Sequence, residues 1–135
     1  MKTKKRILIA PLDWGIGHAT RCIPIIKELL NLDYDVIIAA DGRPMHLLNT
    51  EFPKLEIIRF SGYNIQYHTF LPMSISMLLQ VPKIMWNIKK ENKVLNEIIR
   101  DYQIDGVISD NRFGLHTKKV PCVFITHQLA IQSPY

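Results

Sequence analysis

The sequence predicts an open α/β fold, a parallel sheet of about five strands with helices on both faces, and three observations predict it. Short β-branched apolar runs alternate with longer stretches of helical period. The first and last runs, Ile7-Leu8-Ile9-Ala10 and Cys122-Val123-Phe124-Ile125, are continuously apolar, as expected of strands buried on both sides of a parallel sheet. A glycine-containing turn follows the first run, where such sheets bind ligands. The composition agrees: 135 residues, 47% apolar and 21% charged, describe one ordinary globular domain over residues 1–135. A chain of this size buries enough surface to need no disulfide or metal staple.

The elements follow in order. A strand spans Arg6 to Leu12, and a helix from Thr20 to Leu32 carries Ile23, Ile26, Leu29 and Leu30 on one face. The second strand, Asp35 to Ala40, leads to a short helix from Pro44 to Asn49 opened by its proline. After a third strand, Leu55 to Phe60, the stretch from Ser74 to Tyr102 repeats apolar residues at Leu78, Val81, Met85, Ile88, Leu95, Ile99 and Tyr102, close to a 3.6-residue period. Pro82 is expected to kink or split that helix. Asp105 to Ser109 and Pro121 to Thr126 complete the strands. Asp105, at the start of its strand, reads as structural.

Formal net charge is +5, from 17 Lys and Arg against 12 Asp and Glu, which suits phosphate-bearing ligands, anionic lipid or nucleic acid. No basic stripe interleaved with aromatics appears, which disfavours nucleic acid. The apolar run after the basic opening is too short for a cleaved signal. Residues 61–82 lack charge, but Gln66, His68, Pro72 and Pro82 break any spanning helix. Cys22 and Cys122 form no ligand spacing, so reduced thiols and a cytoplasmic location are expected.

Ligands of open α/β sheets lie beyond the carboxyl ends of the strands, which ranks the loops. In Asp13 to Arg21, Gly15 and Gly17 permit a tight turn, and the helix that follows favours an anion; a merely compact turn is the competing reading. Thr20 stands where a dinucleotide fingerprint has its third glycine, although Asp41 could imitate the acid that grips an adenine ribose. A nicotinamide-dependent oxidoreductase is therefore the weaker alternative. His18 is the candidate general base, against a turn-fixing histidine, and Arg21 could meet a phosphate, against a solvated helix arginine. Asp110 and Asn111 follow the fourth strand, and His127 and Gln128 the fifth, so four polar side chains are expected to converge on the edge that carries His18. The run from Phe70 to Leu79, followed by Lys83, Lys89, Lys90 and Lys93, suits a surface against anionic lipid, or else a core stripe with a solvated lysine face.

Gly15-Ile16-Gly17-His18, Ser109-Asp110-Asn111 and Ile125-Thr126-His127-Gln128 together resemble the N-terminal half of a GT-B glycosyltransferase, a Rossmann-like domain, most nearly in the bacterial group that acts on a lipid-linked peptidoglycan precursor. The resemblance spans nearly the whole chain. It implies that this domain receives a sugar acceptor, lipid-linked or glycan, while a second domain holds a nucleotide-sugar, usually a uridine diphosphate sugar. Gly15, Gly17 and His18 would line the acceptor side of the cleft, with His18 as base and His127 as a second polar contact. Asp13-Trp14 replaces the glycine-rich start of the family turn, and His127-Gln128 lacks the family's intervening acid. Neither metal nor cofactor is implied, because amides and basic groups can steady the leaving diphosphate. The chain stops at Tyr135, sooner than the family's complete domain, so a fragment, a truncated reading frame or one subunit of a split enzyme is expected, inactive alone. Uncovered apolar surface would invite a homodimer or a partner chain. The expected location is cytoplasmic, with peripheral contact at the inner face of the cell membrane as the further option. The alternative from another class is a non-catalytic binding or assembly module.

Overall fold

Parallel pairing places β1 (Arg6–Pro11) at the centre of one sheet, ordered β3-β2-β1-β4-β5, with β2 at Asp35–Ala40, β3 at Ile57–Arg59, β4 at Gly106–Asp110 and β5 at Cys122–Ile125. The structure is a computed structural model that describes residues 4–12, 16–60, 73–110, 112 and 114–126. Among the described residues three helices connect the strands: α1 (Ile16–Asn31), α2 (Gly42–Glu51) and α3 (Met73–Tyr102). The expected strand, helix and sheet arrangement is present.

Side-chain alternation along the central strands builds two cores. Leu8, Ala10, Ile37 and Ala39 point to the α3 side, where they meet Leu95, Ile98 and Ile99. Ile9, Val36, Ile38 and Ala40 point the other way, onto Ala19, Cys22 and Ile26 of α1 and Leu48 of α2. Both faces of β1 and β2 are thus covered, which is why their sequences are apolar without interruption. At the opposite end of the sheet from the ligand edge, Asp105 accepts a hydrogen bond from the Arg6 backbone at 2.8 Å, and the Arg6 side chain pairs with Asp35, a structural role for Asp105.

Four expectations are corrected. The helix read as starting at Thr20 starts at Ile16, so His18 sits in its opening turn and not in the turn before it, and Arg21 follows one turn on. The helix read as opening at Pro44 opens at Gly42, because Asp41 caps it, accepting from the Gly42 N–H at 2.9 Å; Gly42 itself takes φ +60°, which only glycine adopts cheaply. α3 is not split at Pro82: one helix runs from Met73 to Tyr102 with the proline inside it. β5 is not buried on both faces: it is an edge strand, and Val123 and Phe124 are 55% and 45% exposed because no described element packs over them. An apolar depression of about 270 Å³ runs beside it, between Arg112, Leu115 and Phe124.

Candidate functional site

The chain leaves β1 toward β2 on one side, and β4 joins β1 on the other, so the strand order reverses between β1 and β4, where open α/β sheets form their ligand crevice. Asp110, the last residue of β4, lies in register with Pro11 at the end of β1, and its carbonyl accepts from the Leu12 N–H at 3.1 Å. Across from it stands the opening of α1. His18, Arg21 and Cys22 are three and four residues apart, which places them on one helical face, and that face is turned toward Asp110.

Asp110 is fully buried. Its Oδ1 accepts from Arg21 Nη2 at 2.7 Å and its Oδ2 from Arg21 Nε at 3.3 Å, a forked pair. His18 Nδ1 lies 3.4 Å from Asp110 Oδ2 and 2.8 Å from Arg21 Nη2. Cys22 Sγ approaches Oδ2 at 4.0 Å. A buried carboxylate, a guanidinium and an imidazole therefore meet where the sheet opens, which suits moving a proton at the ring.

Burial pushes the Cys22 thiol up to about 12, with the Asp110 charge adding to the rise and Arg21 opposing it. Cys22 is consequently inert near neutral pH, whereas Cys122 is exposed. An Ellman assay at pH 8 on native protein should modify Cys122 within minutes and leave Cys22 protected until denaturant is added. A thiol whose folded pKa lies above its unfolded value stabilises the fold fully below about pH 9 and loses that contribution as pH rises toward 12, so alkaline unfolding should be blunted by Cys22→Ala.

Of the expected site residues, the structure brings His18, Arg21 and Asp110 together. Gly15, Asn111, His127 and Gln128 lie outside the described residues. Gly17 sits in the first turn of α1, and a Cβ there would meet none of the described residues within 4 Å, so no close approach among them demands glycine at this position. Arg21 does not present a bare cation to solvent; its fork is engaged by Asp110. Asp41 caps α2 and pairs with Arg59 at 3.0 Å, so it is employed within the fold at the place expected of a ribose-binding acid.

Sequence reasoning missed a second polar cluster behind the first. Arg112, 1% exposed, donates to Glu91 Oε1 of α3 at 2.7 Å and to the Phe60 carbonyl at 3.2 Å, and stacks on the Phe60 ring at 4.3 Å. Ser109 Oγ donates to the Arg112 carbonyl at 2.8 Å. These contacts tie the ends of β3 and β4 to α3 behind the crevice. Gly114 permits this seat: a Cβ there would fall 2.6 Å from Glu91 Oε2 and 2.9 Å from the Ile88 carbonyl. The signal was a gap in the apolar period of α3 between Ile88 and Leu95, which Glu91 and Asn92 fill, Asn92 donating to the Gly114 and His116 carbonyls.

Among the described residues no group of three or more His, Cys, Asp or Glu side chains could hold a metal ion. No described helix is long and apolar enough to cross a membrane.

Comparison with known proteins agrees with this fold. The fold is similar to that of MurG from Acinetobacter baumannii, with a TM-score of 0.60 at 14% identity over 89% of this chain and 34% of that one. It is also similar to the glycosyltransferase SnogD from Streptomyces nogalater, with a TM-score of 0.57 at 19% identity over 91% of this chain and 36% of that one. The chain thus spans about a third of the length of these structures. No curated protein sequence matches it. The sequence profile of glycosyl transferase family 1 matches residues 5–133, nearly the whole chain, and the parallel sheet is the Rossmann-like sheet of the GT-B glycosyltransferases. The chain belongs to glycosyl transferase family 1.

Proposed function

We propose that this chain is the acceptor-side domain of an inverting sugar transferase, in which His18 takes the proton of the acceptor hydroxyl. The observation that carries the reading is the meeting of His18 with the buried carboxylate of Asp110 at the point where strand order reverses. In the proposed step the acceptor O–H proton passes to His18 Nε2 while its oxygen bonds the anomeric carbon. The bond from that carbon to the nucleoside diphosphate breaks, and the diphosphate leaves with the electron pair. Asp110 faces Nδ1 of the imidazolium that forms, and its negative charge steadies the ring. The donor, a uridine diphosphate sugar in this reading, is held by a second domain or partner chain. Gly15, Asn111, His127 and Gln128 complete the acceptor side.

In a form that includes the donor half, His18→Ala should lower sugar transfer by about a hundredfold or more, as loss of a general base does. Retained transfer would return His18 to a structural role. Residues 1–135 alone should transfer nothing. Calorimetry separates the rivals: binding of NADH would favour the oxidoreductase, and binding of a lipid phosphate without any transfer by the two-domain form would favour a non-catalytic module.

One further observation supports a lipid-linked acceptor. The first half of α3 exposes Leu78, Leu79, Met85 and Trp86 at 71%, 63%, 56% and 63%. At 100° per residue these share a helical face with exposed Lys89, Lys90 and Lys93, and Lys90 Nζ lies 5.5 Å from the Trp86 ring. An apolar stripe ending in tryptophan and lysines is complementary to an anionic bilayer. In vesicle flotation the chain should bind vesicles containing phosphatidylglycerol, lose most of that binding in a Lys89→Glu, Lys90→Glu variant, and ignore phosphatidylcholine alone.

A further inference from the structure

We propose that Arg21 sets the tautomer of His18, holding the ring with its proton on Nε2 until the guanidinium moves away. A guanidinium only donates hydrogen bonds. Arg21 Nη2 lies 2.8 Å from His18 Nδ1, so Nδ1 is the acceptor and a neutral ring carries its single proton on Nε2. The two hydrogens of Nη2 serve two acceptors, one Nδ1 and the other Asp110 Oδ1 at 2.7 Å. Asp110 Oδ2 lies 3.4 Å from the same Nδ1. Between a carboxylate oxygen and an unprotonated ring nitrogen there is no hydrogen to share, so these two acceptors stand side by side because Arg21 bridges them.

The consequence rests on the reading of His18 as the base. A base acting at Nε2 needs the opposite tautomer, with Nδ1–H donated to Asp110 and the lone pair on Nε2. Arg21 is therefore a positioning residue, not a catalytic one. With its side chain one-third exposed, it has room to turn outward, whereas Asp110 is fully enclosed. When it does, Nε2 gives its proton to water, Nδ1 takes one from water, and Nδ1–H closes onto Asp110 with no net change in charge.

Long-range nitrogen–proton NMR of the imidazole rings, on the 135-residue chain at a pH where histidine is neutral, reads the tautomer directly. His18 is assigned by the signal that vanishes in His18→Gln. The wild type should show the Nε2–H form. Arg21→Lys keeps a cation on Asp110 but has no planar fork to span both acceptors, so the population should invert to Nδ1–H. Arg21→Met, with no donor at all, should give the same inversion, and the amide fingerprint establishes that each variant keeps the fold. A wild-type ring in the Nδ1–H form, or an Nε2–H ring persisting in both folded variants, overturns the proposal. The first result leaves His18 as base untouched, since an Nδ1–H ring on Asp110 is ready for that role; the second is told apart from a failure of that role by sugar transfer in His18→Ala, which falls if His18 is the base whatever its resting tautomer. Conversely, full sugar transfer by His18→Ala would remove the catalytic consequence and leave the tautomer result standing.

Discussion

Replacing Glu91 with Leu should destabilise the protein by about 3–5 kcal/mol, the cost of leaving a buried cation without its counter-charge. The Arg112 side chain is fully enclosed and Glu91 is 6% exposed, so water cannot substitute for the lost carboxylate. Arg112→Met should cost a similar amount by stranding the carboxylate instead. The pair is imperfectly satisfied: among the described residues Glu91 Oε2 and Arg112 Nε find no hydrogen-bond partner. Desolvation has therefore been met only in part, and an apolar replacement of both residues should recover most of the loss. Urea unfolding of the two single variants and of Glu91→Leu with Arg112→Met checks this, with the double variant expected within about 2 kcal/mol of wild type. A double variant as unstable as the sum of the singles would show that the two side chains act independently.

How much of this was legible in the sequence depends on the range of the signal. β1 and β2 were readable because burial on both faces leaves an uninterrupted apolar run. The same rule misread β5, whose residues Val123 and Phe124 are as apolar as those of β1 but lie at the edge of the sheet, among the exposed residues. Apolarity reports what a strand can tolerate, not what covers it. The start of α1 was misplaced because glycines argued for a turn at Gly17 while the backbone there is helical. Cap chemistry decided α2: Pro44 suits a first helical turn, but Asp41 supplies the side-chain acceptor and so fixes the start. At the site, the alternation of strands and helices and the rule that ligands lie beyond the carboxyl ends of the strands were enough to bring His18 and Asp110 to one edge. The Arg21 fork on Asp110 was not readable, since a helix arginine at that spacing is equally suited to solvent. Arg112 gave no local signal at all; only its partner Glu91, standing on the apolar stripe of α3, marks the place.

Asp110→Ala should produce the largest loss at the site itself, in both stability and chemistry. The carboxylate is fully enclosed, and it accepts the Arg21 fork through both oxygens. Its removal leaves a guanidinium over an apolar gap, at a cost of about 2–3 kcal/mol. That figure sits below the range for two enclosed partners because Arg21 is one-third exposed and can turn into water. Sugar transfer by a form carrying the donor half should fall at least about a hundredfold, since the ring loses the charge that faces Nδ1. The thiol beside it separates a specific effect from general loosening. Asp110 holds Cys22 toward its neutral form and Arg21 opposes it, so without the carboxylate the Cys22 thiol should titrate lower and react faster with Ellman's reagent in the folded protein. Asp110→Asn keeps the volume and one acceptor oxygen while deleting the charge, and should be milder in unfolding yet as deficient in transfer. If Asp110→Asn transferred sugar as well as wild type, the charge on Asp110 would serve the fold alone, and His18 would act without it.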